Sequence, residues 1–226
     1  NVDNVLHTDG STGATCQVWA DYIYLDTDER RRFAQQSHEY LIEQLQYQSE
    51  SASTSVKLNL NHPVKELIWT FTNNTSAAIG TTAVDAASNV GGTVAEHGND
   101  WFNYHSLDST TTEVVNNQTS NESFSTFKLQ LNGHDRFSAR NASYFRTVQP
   151  LQAGHRVPEK HVYNYSFALK PEEHQPSGTC NFSRIDNARM EFVAPVAAAT
   201  STINVYAVNY NVLRVMSGMG GLAYSN

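Results

Sequence analysis

Between His161 and Leu169 the chain alternates. Tyr163, Tyr165, Phe167 and Leu169 fall on one side of a period of two, and Asn164, Ser166 and Ala168 on the other. A β-strand with one packed face requires that period. Lys170-Pro171 ends it, because proline has no N–H to donate and restrains the residue before it. Gln175-Pro176-Ser177-Gly178 predicts a turn, with a further strand from Thr179. The same alternation recurs at Val56, Leu58 and Leu60, over Val64 to Phe71, and at Phe127, Leu129 and Leu131. It returns over Ala188 to Val193 and Ile203 to Val215. His62-Pro63 marks a corner, and Asn132-Gly133 is a hairpin dipeptide because both residues tolerate positive φ.

Other stretches read differently. Cys16 to Leu25 predicts a strand with Val18, Ala20, Tyr22 and Tyr24 on one face and Trp19, Ile23 and Leu25 on the other. Apolar residues on both faces predict a strand covered on both sides. Asp26 is a candidate N-cap with Glu29 three residues on, and no Gly or Pro follows as far as Gln48. Phe33, Ser37, Tyr40, Leu41 and Leu45 fall near helical spacing, so this stretch predicts a helix or helical turns. Arg30, Arg31 and Arg32 then lie near the helix start, the unfavourable end for cations. Residues 1–15 are turn-rich and read as an arm or linker. Residues 73–123 are dominated by Asn, Thr, Ser, Ala and Gly and read as one long loop excursion. Trp101, Phe102, Tyr104 and His105 are its aromatic cluster. Arg136 to Pro158 is of mixed polarity and predicts a crossing between sheets, and Ser217 to Gly221 predicts a flexible end. About eight strand candidates with one or two short helices make the chain all-β, an antiparallel sandwich.

Composition narrows the function classes. The 226 residues suit one large β domain, or at most two small ones. Hydrophobic residues are 39% and charged residues 16%, the remainder being rich in uncharged polar side chains suited to long loops. A net charge of −7 leaves no basic field for gripping nucleic acid. Cys16 and Cys180 are too few for a disulfide framework and read as buried free thiols. No apolar run reaches the ~20 residues needed to span a bilayer, and no secretory leader is visible. The chain begins at Asn1, as expected of a processed product or a fragment.

Reactive constellations are missing from the pattern. Of nine histidines, the closest pair is His155 and His161, and no HxH, HExxH or CxxC spacing occurs, so no metal site is expected. There is no GxSxG elbow and no strand–GxxxxGK–helix context around Ser217-Gly218-Met219-Gly220-Gly221. Glu172 and Glu173 read as solvated turn carboxylates. No catalytic, metal or cofactor-binding residue is assigned, no cofactor is expected, and the chain is not read as an enzyme.

Long ungapped stretches carry a resemblance. YNYSFALKPEEHQPSGTCNFSRIDNARM at 163–190, LDTDERRRFAQQSHEYLIEQLQ at 25–46 and NVLRVMSGMGGLAYSN at 211–226 resemble the major capsid proteins of large icosahedral double-stranded DNA viruses, of the iridovirus and phycodnavirus type. HPVKELIW at 62–69 and LQLNGHDRF at 129–137 do so too. The resemblance covers about two-thirds of the chain and fails over roughly 73–123. It implies an antiparallel eight-stranded jelly-roll sandwich with long loops over 16–226, the second of two tandem jelly rolls, with 1–15 arriving from the first. It implies a structural protein of the virion shell, assembled in the host cytoplasm. It further implies self-association as homotrimeric pseudo-hexagonal capsomers in an icosahedral lattice, joined by minor capsid proteins, with no direct nucleic-acid contact and no membrane insertion. Seven N-x-S/T sequons, at Asn73, Asn74, Asn117, Asn121, Asn141, Asn164 and Asn181, would not meet the secretory machinery there. Arg30, Arg31, Arg32 and Arg136 are candidate subunit contacts, and Trp101, Phe102, Tyr104 and His105 a candidate outer-loop surface. The alternative is a lectin-like carbohydrate-binding β-sandwich that stacks sugars on that aromatic cluster.

Overall fold

The computed structural model describes residues 17–73, 104, 122–158, 160–193 and 201–224. The chain divides into two compact units, Asn1–His38 with Val215–Gly220, and Glu39–Arg214 with Gly221–Asn226. The arm expected at 1–15 and most of the 73–123 excursion lie outside the described residues.

In the first unit, helix α1 (Thr27–Gln35) starts where the sequence places it. The Asp26 side chain accepts from the Glu29 N–H at 2.8 Å. The helix is shorter than expected and gives way to extended backbone at Gln36. Residues 17–25, expected as a strand packed on both faces, form no strand. Val18, Trp19 and Ile23 are 91%, 87% and 89% exposed. A strand needs a partner for its N–H and C=O groups, and no described strand pairs with this stretch. Ser217 and Gly218, both at positive φ, turn the chain into a short strand, Met219–Leu222, where a flexible end was expected.

The second unit holds two sheets. Its strands are β1 (His38–Ser51), β2 (Ser55–Leu58), β3 (Pro63–Asn73), β4 (Thr126–Leu131), β5 (His134–Asp135), β6 (Arg140–Asn141), β7 (Val162–Ser166), β8 (Cys180–Asn181), β9 (Ala188–Val193) and β10 (Ser201–Met216), with β11 (Met219–Leu222) closing the chain. One sheet runs β1-β10-β3-β7 and the other β2-β9-β4-β5. β8 continues alongside β3, β6 alongside β4 and β11 alongside β10. Two four-strand paths in this order make an antiparallel jelly roll. The pieces β5, β6 and β8 are two residues each, so the strand count exceeds the eight expected.

β1 overturns the helix expected to Gln48. Ile42, Gln44, Gln46 and Gln48 are half-buried and alternate with exposed Glu43, Leu45 and Tyr47. The apparent helical stripe read across two different elements. Arg136 to Pro158 also differs from a simple crossing. It holds a π-helical turn (Tyr144–Val148) and helix α2 (Gln149–Gln152), with Pro150 in the first turn. Asn132 and Gly133 make the expected hairpin, with φ of 50° and 82°.

The core lies between the sheets because every second residue points inward. Val56 and Leu58, Leu67, Trp69 and Phe71, Phe127 and Leu129, Met190 and Phe192, and Ile203, Val205 and Ala207 are all buried. Trp69 sits at its centre, with ring centroids 4.8 Å from Phe127, 5.7 Å from Phe145 and 5.9 Å from Tyr163. Each such side chain, fully withdrawn from water, stabilises the fold by about 1.5–3 kcal/mol. Strand β7 ends at Ser166, so Leu169 is exposed rather than packed. Gly178, at φ 141°, lies where a Cβ would come within 2.9 Å of the Phe167 carbonyl oxygen. Only glycine suits that close approach. Cys180 is a free thiol, half-buried, and burial pushes its pKa up. Cys16 lies outside the described residues.

Candidate functional site

A β-bulge organises the polar face of the β1-β10-β3-β7 sheet. Val208 pairs with Glu66 and Asn209 with Val64, leaving Lys65 as an extra residue on β3. The bulge turns two consecutive charged residues, Lys65 and Glu66, away from the core, yet both are buried. A buried charge must be paired. The Lys65 ammonium meets Glu43 on β1 and lies 5.4 Å from the Tyr210 ring centroid. The Glu66 carboxylate accepts from Asn164 Nδ2 at 2.9 Å and from His155 Nε2 at 2.9 Å. The other ring nitrogen, Nδ1, faces Glu172.

A second cluster ties the residues after the excursion to the body. Glu122 receives a forked pair from Arg146, Nε at 2.9 Å and Nη2 at 2.7 Å. The Tyr163 hydroxyl donates to the other Glu122 oxygen at 2.9 Å and accepts from the Ser123 N–H at 2.9 Å. Burial pushes the Tyr163 hydroxyl far above its ordinary pKa. Sequence reading missed both clusters, since their members lie far apart along the chain and share no motif. The one local signal was the unusual placing of Lys65-Glu66 inside an apolar strand.

The candidate contact residues are distributed between the units. Arg30, Arg31 and Arg32 are exposed on α1. Because the helix is short, Arg32 falls in its last turn, where a cation is favourable, rather than at its start. Arg31 pairs with Asp28 at 3.5 Å on the surface. Arg136 is exposed in the second unit, and its positive charge and hydrogen bond oppose the burial that raises the Tyr165 pKa. Of the aromatic cluster, Trp101, Phe102 and His105 lie outside the described residues. Tyr104 is half-buried, and its carbonyl accepts from Ser123 Oγ at 3.0 Å.

Chemically, these groups hold structure. Among the described residues no three His, Cys, Asp or Glu side chains are placed to hold a metal ion, and no helix is long and apolar enough to cross a membrane. A cavity of about 310 Å³ lies over the second sheet, bounded by Thr54, Ser55, Thr126, Lys128, Glu191 and Val193. The Lys128 ammonium there is shared between Glu191 at 3.2 Å and Asp135 at 3.3 Å, so it offers no unpaired cation to an anion.

Comparison with known proteins agrees with the fold. A family model described as large eukaryotic DNA virus major capsid protein matches residues 29–221. The major capsid protein of Pyramimonas orientalis virus is 47% identical, over 99% of this chain and 52% of its own length. That of Paramecium bursaria Chlorella virus 1 is 44% identical, over 96% of this chain and 55% of its own. A quasi-atomic structure of the PBCV-1 virus capsid superposes with a TM-score of 0.64 at 42% identity, covering 91% of this chain and 56% of that one. The chain spans about half the length of these relatives.

Proposed function

The chain belongs to the major capsid protein family of large eukaryotic DNA viruses, and we propose that it builds the shell of an icosahedral virion as one jelly roll of a tandem pair. The match over residues 29–221 carries this reading, since it covers both sheets of the sandwich. Three copies of the two-barrel protein form a pseudo-hexagonal capsomer, and capsomers tile the shell with minor capsid proteins between them. Assembly takes place in the host cytoplasm. A sandwich with an aromatic core supplies a wall of fixed thickness, and many weak contacts between copies allow correction during assembly. The exposed apolar stretch 17–25 is covered in the longer protein, by domain–domain contact or by burial in the assembly. Arg30, Arg31, Arg32 and Arg136 contact neighbouring copies, and the excursion around Trp101, Phe102, Tyr104 and His105 forms outer surface.

Light scattering and negative-stain imaging of the chain joined to the preceding barrel test this reading. Trimers and hexagonal rings are expected. A monomer at every concentration overturns it. Charge reversal at Arg30–Arg32 is expected to weaken trimer formation, and unchanged trimers would remove those residues from the interface.

A further inference from the structure

The His155 ring is held between two carboxylates that come from different parts of the chain. Its Nε2 lies 2.9 Å from Glu66 on β3, a buried residue, and its Nδ1 meets Glu172 on the turn that follows β7. The Glu172 side chain is 64% exposed, against 7% for Glu66. A neutral imidazole has one N–H and one lone pair, so it can donate to only one carboxylate. Donation to both requires the doubly protonated ring.

From this geometry we propose that His155 is a proton-operated clasp that fastens the 170–173 turn to β3, and that loss of its proton releases Glu172 while the contact with Glu66 is kept. The asymmetry follows from solvation. Glu172 exchanges its ring contact for water at little cost, whereas a buried Glu66 left with Asn164 alone would not find water to replace the ring.

The surrounding charges leave the ring to these two partners. On the same turn, Lys170 and Glu173 pair with each other at 3.0 Å, and His174 is the remaining titratable group. On β3, Lys65 is taken by Glu43. From β7, Asn164 donates to the same Glu66 oxygen as the ring. Arg156 follows on the ring's own segment, and α2 brings no titratable side chain. Burial pulls the His155 pKa down, but the hydrogen bonds and charges of Glu172 and Glu66 outweigh it and leave it raised.

The test is an NMR titration of the His155 ring in the full chain, wild type and Glu172→Gln, with hydrogen exchange of residues 167–173 followed over the same pH range. The wild-type midpoint is expected above the ordinary value of 6.5. Exchange of the turn should step up, beyond the intrinsic rate increase, as pH passes that midpoint. Glu172→Gln should lower the midpoint and abolish the step. A wild-type midpoint at or below 6.5, or the same step in Glu172→Gln, overturns the proposal. The substitution is on an exposed side chain, so the variant is expected to fold.

Discussion

Gln46 on β1 binds the backbone of Asn61 with both ends of its carboxamide. Its Oε1 accepts from the Asn61 N–H at 2.9 Å, and its Nε2 donates to the Asn61 carbonyl at 2.6 Å. Gln48 repeats the device two residues on, accepting from the Asn59 N–H and donating to the Lys57 carbonyl. Strand β2 ends at Leu58, so the backbone at 59–61 has no ladder partner. The two glutamines stand in for the missing strand. Gln46→Ala is expected to destabilise the protein by about 1 kcal/mol, since two modest bonds are lost at an exposed site where water can replace them. Gln46→Glu, which keeps the acceptor and loses the donor, should fall between. Chemical denaturation measures both.

Phe127 packs against aromatic rings from both sheets. Its centroid lies 4.8 Å from Trp69, 4.9 Å from Phe145 and 5.0 Å from Phe192. Phe127→Ala is expected to cost about 3–5 kcal/mol, through lost burial and a cavity that rings on both sheets cannot collapse into. Phe127→Leu should cost less. A loss under about 1 kcal/mol for the alanine variant would contradict its burial between the sheets.

Arg146 and Glu122 form a partly buried forked pair, 22% and 18% exposed. Arg146→Ala leaves the Tyr163 hydroxyl donating to Glu122 at 2.9 Å, with His161 Nε2 4.0 Å away, and removes the forked cation. The expected loss is about 2–3 kcal/mol, below that of a wholly buried pair because water reaches these groups. Arg146→Lys keeps the charge but not the fork and should recover only part of it. Urea midpoints of the two variants, with unchanged slopes, check this.

The raised pKa of His155 sets the sign of a pH effect. Protonation is easier in the folded chain than in the unfolded one. The clasp therefore contributes its full stability below the unfolded value of about 6.5 and loses it as pH rises through the higher folded value. Stability of wild type minus that of His155→Gln should be largest at mildly acid pH and shrink above neutrality. A difference that grows with pH would contradict the arrangement.

Much of the framework was legible in the chain. Period-two alternation marked β2, β3, β4, β9 and β10 because side chains on a strand alternate faces whatever the strand pairs with. Asp26 and Asn132-Gly133 marked a helix start and a hairpin because each acts within a few residues. The unbroken stretches at 25–46 and 163–190 carried the family resemblance without any knowledge of register.

Only the tertiary structure decided the rest. Residues 38–48 became strand rather than helix because pairing with β10 outweighed weak helical spacing. The stretch 17–25 alternates as a strand does yet forms none, because alternation supplies a face and not a partner. The bulge at Lys65 depends on the register of β3 against β10, which no local pattern encodes. That register turns Glu66 outward, where His155, 89 residues away, reaches it. Side-chain periodicity is a property of a few neighbouring residues, whereas partner, register and burial come from segments that meet only when the sheets close.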